Sequence, residues 1–281
     1  MRRRILLPTD FSKNAQNAID YAINLYKEEV CDFYILNTYH IESYTMELSV
    51  ERDIEASKQK SILGLSAVLK RLLSIDNAIN HHFHIISECG PLIEMMKEVI
   101  DKRDIDIVVM GTKGNIDSRV QIYGSQTVLA MEHIRNCPVL AIPAVAVFKR
   151  IKEIVFLTGY KIHFKRREFQ YLVDIAKISN AAIRILHVLD EGEHLDEDQL
   201  NNQKLLKDYF EGLEYSFNTL HDMEIQEALN SFMANREIDM VVFINRKHNF
   251  FSTIFSRRRP MMKELGYYST IPILALHDFR N

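Results

Sequence analysis

The stretch Asp104–Thr127, DIDIVVMGTKGNIDSRVQIYGSQT, decides how the rest of the chain is read. It opens as a short apolar run, Ile105–Met110, broken only by Asp106, and stops at Gly111. Gly114 follows, nine residues separate it from Gly124, and Ser125 comes next. Gln126–Ile134 then reads as a helix. The order is strand, glycine-punctuated loop, and a Gly-Ser pair at a helix start. Glycine lets the backbone turn tightly and approach a ligand, because it has no Cβ. The first amides of a helix lack internal partners and sit at the positive end of its dipole, so they attract anions. Ser125 and Thr127 add hydroxyl donors there. The pattern is neither a Walker A loop, since no Gly-Lys-Ser/Thr occurs, nor the G-x-G-x-x-G fingerprint. On the residues alone, a phosphate cradle and ordinary turn chemistry stand about level.

Working outward, strands and helices alternate. Residues 3–8 (RRILLP) read as a first strand, closed by Pro8-Thr9-Asp10. Ser12 is placed to cap a helix through Tyr26. Asp32–Thr38 reads as a second strand, Met46–Leu73 as a long amphipathic helix, Phe83–Ser87 as a third strand, and Gly90-Pro91 as the start of a helix through Ile100. A fifth strand, Pro138–Ile142, follows the glycine loop and its helix. This alternation predicts βαβ units and a parallel sheet, with right-handed crossovers.

The second half repeats the first at an offset of roughly 133–150 residues. RILLPTDFS (Arg4–Ser12) corresponds to EIVFLTGYK (Glu153–Lys161), and DFYILNT (Asp32–Thr38) to AIRILHV (Ala182–Val188). DIDIVVM (Asp104–Met110) corresponds to EIDMVVF (Glu237–Phe243), and NCPVLAIP (Asn136–Pro143) to TIPILALH (Thr270–His277). Helices are expected over Phe164–Ile178, from Asp198 to about Asn218, and over Ile225–Asn235, with a weak strand near Thr219–Met223. The glycines are not repeated. Ile244 and Lys247 stand opposite Gly111 and Gly114, Arg257-Arg258 opposite Gly124-Ser125, and Gly159 opposite Asp10.

Composition bounds the function. The 281 residues suit two ordinary α/β domains, and 47% hydrophobic with 26% charged residues is globular. No apolar run is long enough to span a membrane, and the apolar run before Pro8 is too short for a signal peptide. Cys31, Cys89 and Cys137 are widely spaced and form no CxxC pair, so neither a disulfide framework nor a zinc module is expected. A reducing cytoplasm suits them. A net charge of −3 gives no general attraction to nucleic acid. His82 and His84 share a strand face, without a carboxylate partner in the pattern, and make a weak metal site. Cys89 reads as a packed small residue, and Arg257–Arg259 as a solvated loop.

Gly-x2-Gly-x9-Gly-Ser resembles the ATP-binding motif of the universal stress protein family, and the likeness extends over both halves of the chain. It implies two tandem Rossmann-like α/β domains, of the adenine-nucleotide alpha-hydrolase type, over residues 1–147 and 148–281. Each would be a five-stranded parallel sheet of order 3-2-1-4-5 flanked by helices, the first with an intact nucleotide motif and the second degenerate. In such a sheet, strands 1 and 4 are neighbours and their carboxyl ends frame the ligand crevice. The resemblance assigns Asp10, with Pro8 and Thr9, to the adenine–ribose end, and Thr38 to adenine through its backbone. It sets Met110, Gly111 and Gly114 beside ribose and phosphate. Gly124, Ser125, Gln126 and Thr127 would hold the polyphosphate, and Arg119 would pair with it. Asp10 also reads, more simply, as a turn cap before the Ser12 helix. The implied ligand is ATP, AMP or ADP, with Mg2+ as a companion ion. The implied role is a nucleotide-linked stress-response switch. Slow ATP hydrolysis, adenylyl transfer and a ligand-free interaction module are the alternatives. Fifth strands commonly pair in this family, which would join the two domains within one chain; a homodimer stays open.

Overall fold

The computed structural model describes residues 2–40, 47–112, 125–189, 192–223, 225–234, 236–245 and 270–277. Strand β1 (Arg3–Pro8) leads to helix α1 (Lys13–Leu25), β2 (Cys31–Tyr39), α2 (Glu47–Ile75), β3 (His81–Cys89), α3 (Leu92–Arg103), β4 (Ile107–Gly111), α4 (Ser125–His133) and β5 (Val139–Ile142). The second half runs β6 (Glu153–Leu157), α5 (Gln170–Ser179), β7 (Ala182–Leu189), α6 (Glu197–Tyr209), β8 (Tyr215–His221), α7 (Ile225–Ala234), β9 (Met240–Asn245) and β10 (Ile273–His277).

All ten strands form one sheet of order β3-β2-β1-β4-β5-β10-β9-β6-β7-β8. The first five follow the order 3-2-1-4-5, and the last five repeat it in their own numbering. Pairing is parallel within each half and antiparallel only between β5 and β10, where Leu140 lies opposite Leu274. Parallel strands buried on both faces read as continuous apolar runs. Val139–Ile142 and Met240–Ile244 do so, and every residue of both is at most 2% exposed. One core cluster takes Ile5, Leu7, Phe33 and Ile35 from the strands with Ala18, Ile19, Leu65 and Leu72 from α1 and α2. The other face of the same strands packs Leu6, Val108 and Ala141 against Met96 of α3 and Ala130 of α4. Helices thus cover both faces.

Local chemistry explains where the structure departs from the sequence reading. Ser12 caps α1 by accepting from the Ala15 amide at 3.2 Å. Its counterpart in the repeat is Lys161, which offers no such acceptor. The chain there enters through a 3-10 turn at Arg166–Phe169, fastened by Lys165 N donating to the buried Glu168 carboxylate at 3.0 Å, and α5 starts only at Gln170. The helix expected to reach Asn218 stops at Tyr209, because Gly212 takes a φ of 78° and turns the chain. Tyr215–His221 is instead an edge strand in register with β7, so Asn218 belongs to β8. Strand β3 is longer than expected and includes His81, His82 and His84. Carboxylate partners do exist there: His81 Nδ1 bonds Asp76 at 2.5 Å and His84 Nε2 bonds Asp32 at 3.1 Å. Yet among the described residues no three His, Cys, Asp or Glu side chains group as a metal site. Cys89 is exposed, against the expectation of a packed residue, because it ends the edge strand β3; Cys31 and Cys137 are buried. Among the described residues no helix is long and apolar enough to cross a membrane.

The β5–β10 seam is tested by a double-mutant cycle. Leu140→Ala and Leu274→Ala, both fully buried, should each cost about 2–5 kcal/mol in urea unfolding. As direct cross-strand neighbours, their combined cost should differ from the sum by about 0.5–3 kcal/mol. Strict additivity would mean that the two side chains do not meet.

Candidate nucleotide-binding crevice

Strands β1 and β4 lie side by side and parallel, with Ile5 opposite Ile107 and Leu6 opposite Val108. Carried forward, that register sets Pro8 level with Met110 and Thr9 with Gly111. The chain leaves β1 into α1 on one face and leaves β4 toward α4 on the other. The crevice between these carboxyl ends is the switch point of the sheet.

The turn after β1 uses its own side chains to hold its shape. Thr9, buried, accepts at Oγ1 from Phe11 N at 3.0 Å, and its backbone oxygen accepts from Asn37 Nδ2 at 2.7 Å. Asp10 is exposed, and its Oδ1 accepts from Ser12 N at 3.0 Å. The simple turn role of Asp10 is therefore real; it occupies one of the two carboxylate oxygens. Pro8 is buried, pairing with Leu36, while Thr38 lies half-buried on β2 opposite Glu88 of β3.

Gly111 has a structural reason of its own. A Cβ there would come within 2.5 Å of the Asn14 carbonyl oxygen and 2.8 Å of its carbon. The absent side chain is what lets the first turn of α1 close over the end of β4. Thr127, 2% exposed, donates its hydroxyl to the Gly111 carbonyl at 3.0 Å. That hydroxyl, expected to serve a ligand, instead pins the first turn of α4 to the end of β4. Met110 is buried, and Gln126 is exposed beside that turn. Gly114, Arg119, Gly124 and the Ser125 side chain lie outside the described residues.

A cavity of about 260 Å³ opens beside this turn, lined by Thr9, Phe11, Ser12, Gly64, Val68 and Arg71 among others. It lies between α1 and α2 and shares only Thr9 with the residues expected from the sequence. Phe11 reaches it from a left-handed backbone, φ 65°, costly for an aromatic residue. Its ring presses on α2 where a Cβ on Gly64 would sit 2.4 Å away.

The second half rebuilds the turn and fills the space. Tyr160 N donates to Thr158 Oγ1 at 3.1 Å, and Tyr160 has φ 54°. Whereas Phe11 is 38% exposed, Tyr160 is 1% exposed. Its ring packs 4.9 Å from His187, which stands where Asn37 stands and bonds the Thr158 carbonyl at 2.8 Å. From α6, Gln199 and Asn202 donate to the Gly159 and Tyr160 carbonyls at 2.9 and 2.7 Å. Sequence reasoning compared Asp10 with Gly159 and passed over Phe11 and Tyr160, one residue further along the same alignment. Across the seam, Arg135, after α4, donates to the Asn245 carbonyl at 3.1 Å, and the Asn245 amide donates to Met131 O. Beside them His277 is fully buried next to the Asn245 backbone, and among the described residues neither ring nitrogen has a well-formed hydrogen bond. Burial, then the Arg135 charge, pushes its pKa down to about 3.

An open sheet with helices on both faces, parallel strands in each half, and a crevice at the switch point defines a Rossmann-like α/β class. Residues 1–143 match the model of the universal stress protein family, and the chain belongs to that family. A universal stress protein from Archaeoglobus fulgidus DSM 4304 superposes with a TM-score of 0.73 at 15% identity, covering 98% of each chain. A putative universal stress protein from Pseudomonas aeruginosa UCBPP-PA14 gives 0.57 at 10% identity, over 98% of this chain and 93% of that one. UspA from Lactobacillus plantarum is 23% identical over 50% of this chain and 96% of its own, with a TM-score of 0.41. No curated protein sequence matches significantly.

Gly111→Ala should destabilise the fold by about 1–3 kcal/mol, read as a lower urea midpoint, because the obstructing atoms are backbone and cannot rotate away. His277 gives a pH signature. The unfolded histidine takes up a proton below about 6.5, whereas the folded one resists until about 3. Protons therefore favour the unfolded chain, and stability falls as pH drops through that window. His277→Leu should lower the slope of unfolding free energy against pH, between about pH 6 and 4.5, by about 1.4 kcal/mol per unit. An unchanged slope would place His277 in contact with water.

Proposed function

We propose that the chain binds one adenine nucleotide, ATP with AMP or ADP as alternatives, in the crevice between the Pro8–Asp10 turn and the Gly111–Thr127 segment. In this reading it acts as a nucleotide-linked switch in a stress response. The observation that carries the proposal is the register of β1 on β4, which sets Thr9 level with Gly111 at the switch point although the two are far apart in the chain. The spacing Gly111, Gly114, Gly124-Ser125 supports it independently.

The residues fit the group. Gly111 leaves backbone rather than side chain at the end of β4, and the α4 amino end supplies a dipole for phosphate. Asp10, exposed, keeps one carboxylate oxygen for the ribose hydroxyls. Thr38 would meet adenine through its backbone. Gly114, Gly124, Ser125 and Gln126 would surround the polyphosphate, with Arg119 as a counter-charge and Mg2+ as companion ion. Thr127 acts at one remove, by fixing α4. The second crevice takes no nucleotide in this reading, since Ile244 and Lys247 stand in the sequence where the first half has Gly111 and Gly114.

Freshly purified protein, denatured and analysed by mass, should release about one adenine nucleotide per chain. Asp10→Ala combined with Gly124→Asp should release none. Two per chain would overturn the exclusion of nucleotide from the second crevice. If none is released, and millimolar ATP adds none of the roughly 1–3 kcal/mol expected from a saturating ligand, the binding proposal fails.

A further inference from the structure

The two ends of the sheet are treated differently. At β8, Lys207 of α6 lies over Phe217, its ammonium 5.8 Å from the ring centroid. A charge over an edge strand is a familiar guard against further pairing. At β3 the edge is nine residues long, and among the described residues no strand pairs with its outer side.

The hydrogen bonds to β2 decide which groups of β3 face outward. Asn80 O accepts from Cys31 N, and Gly90 N donates to Tyr39 O, so even-numbered residues turn their peptide groups to β2. Phe83, Ile85, Ser87 and Cys89 therefore turn theirs away from the sheet. Their side chains face α2: Phe83 packs on that core, and Ser87 bonds Ser61 of α2 at 2.7 Å. Ile85 is 38% exposed.

The flank of α2 above this edge is apolar. One side of the helix, Gly64, Ala67, Val68 and Arg71, lines the cavity toward α1. On the other side, Ile62, Ser66, Leu69 and Leu73 recur at i, i+4, i+7, i+11, one continuous stripe. Ile62 and Leu69 are half-buried, Leu73 is 62% exposed, and the Ser66 hydroxyl is spent on Ile62 O at 2.8 Å.

We propose that this surface binds a second copy of the chain, β3 pairing antiparallel with β3 about a two-fold axis through Ile85. The partner is argued from register and from side chains that match across it. Centred on Ile85, the pairing joins Phe83 to Ser87 and Ile85 to itself, and sets Cys89 opposite His81, whose amide already donates to Ala78 O. On the opposite face it sets His82 of each copy across from Glu88 of the other, twice over, in close non-hydrogen-bonded positions. Since α2 rests on β2 and β3, strand spacing brings the two α2 helices to about 10 Å, a helix-packing distance. Each stripe then meets its own copy.

Sedimentation of the full chain over rising concentration should show a species of twice the 32.9 kDa chain mass. Ile85→Lys, which sets two ammonium groups together on the axis, should weaken the dimer at least about 100-fold. His82→Glu should weaken it about tenfold by opposing two carboxylates, and adding Glu88→Lys should restore it. Circular dichroism and melting of each variant establish that the monomer is folded. A monomer at every concentration overturns the proposal, as does a dimer that survives Ile85→Lys. Failure of the charge swap to restore pairing overturns the register.

Discussion

The antiparallel pairing of β5 with β10 is the constraint on which the remaining architecture depends. Val139–Ile142 is buried throughout, and an edge strand of that character would invite association. Pairing with Ile273–Ala275 covers it and gives β10 the same protection. Because this one junction is antiparallel, the strands of the two halves run in opposite directions. Their carboxyl ends, and so their two crevices, open at opposite ends of the sheet. One chain thereby achieves a continuous core with two separate switch points, each free to diverge.

The turns beside them have diverged by filling rather than by unfolding. Both halves keep the threonine that bonds the amide two residues on, and both keep an aromatic in the left-handed region after it. The difference lies in what the following helix contributes. Opposite Phe11, α2 offers Gly64 and leaves a cavity; opposite Tyr160, α6 offers Gln199 and Asn202, which bond the turn itself. Each such bond to a buried carbonyl contributes about 1 kcal/mol net and would cost more to leave unmade. The turn after β6 thus has its carbonyls satisfied from within.

What the sequence discloses follows the same physics. Strands buried on both faces, such as Val139–Ile142 and Met240–Ile244, are legible because nothing polar interrupts them. Strand β8 is legible only in part: a weak strand near Thr219–Met223 is expected, but Tyr215–His221 is a half-buried edge that mixes aromatic and polar side chains, so its start is hidden. The start of α5 is obscured for a different reason: Lys161 replaces the capping serine, and no local signal marks the 3-10 turn that takes over. At the site, the spacing of glycines is visible, but the direction in which the missing Gly111 Cβ would point depends on α1 packing, a contact nearly 100 residues away. The Thr127 hydroxyl was legible as a donor; its acceptor, the Gly111 carbonyl, was not. The weight of Phe11 and Tyr160 required only the internal alignment to be read one position further.

Helix α4 ties these threads together. Its first turn is pinned by Thr127 to the end of β4, where the glycine motif begins, and its last turn supplies Met131 O to Asn245 at the end of β9. Arg135 adds a bond to the Asn245 backbone. A helix of nine residues spans about 13 Å at 1.5 Å per residue, and its packed core does not stretch. The end of β4 on one side and the polar cluster around Asn245 and the buried His277 on the other are therefore linked by one rigid element. The antiparallel seam makes that possible: only with the halves running in opposite directions does the far end of α4 arrive at the carboxyl end of β9. A chain with a parallel junction would leave the two crevices on the same side, and the far end of α4 would meet the amino end of β9 instead.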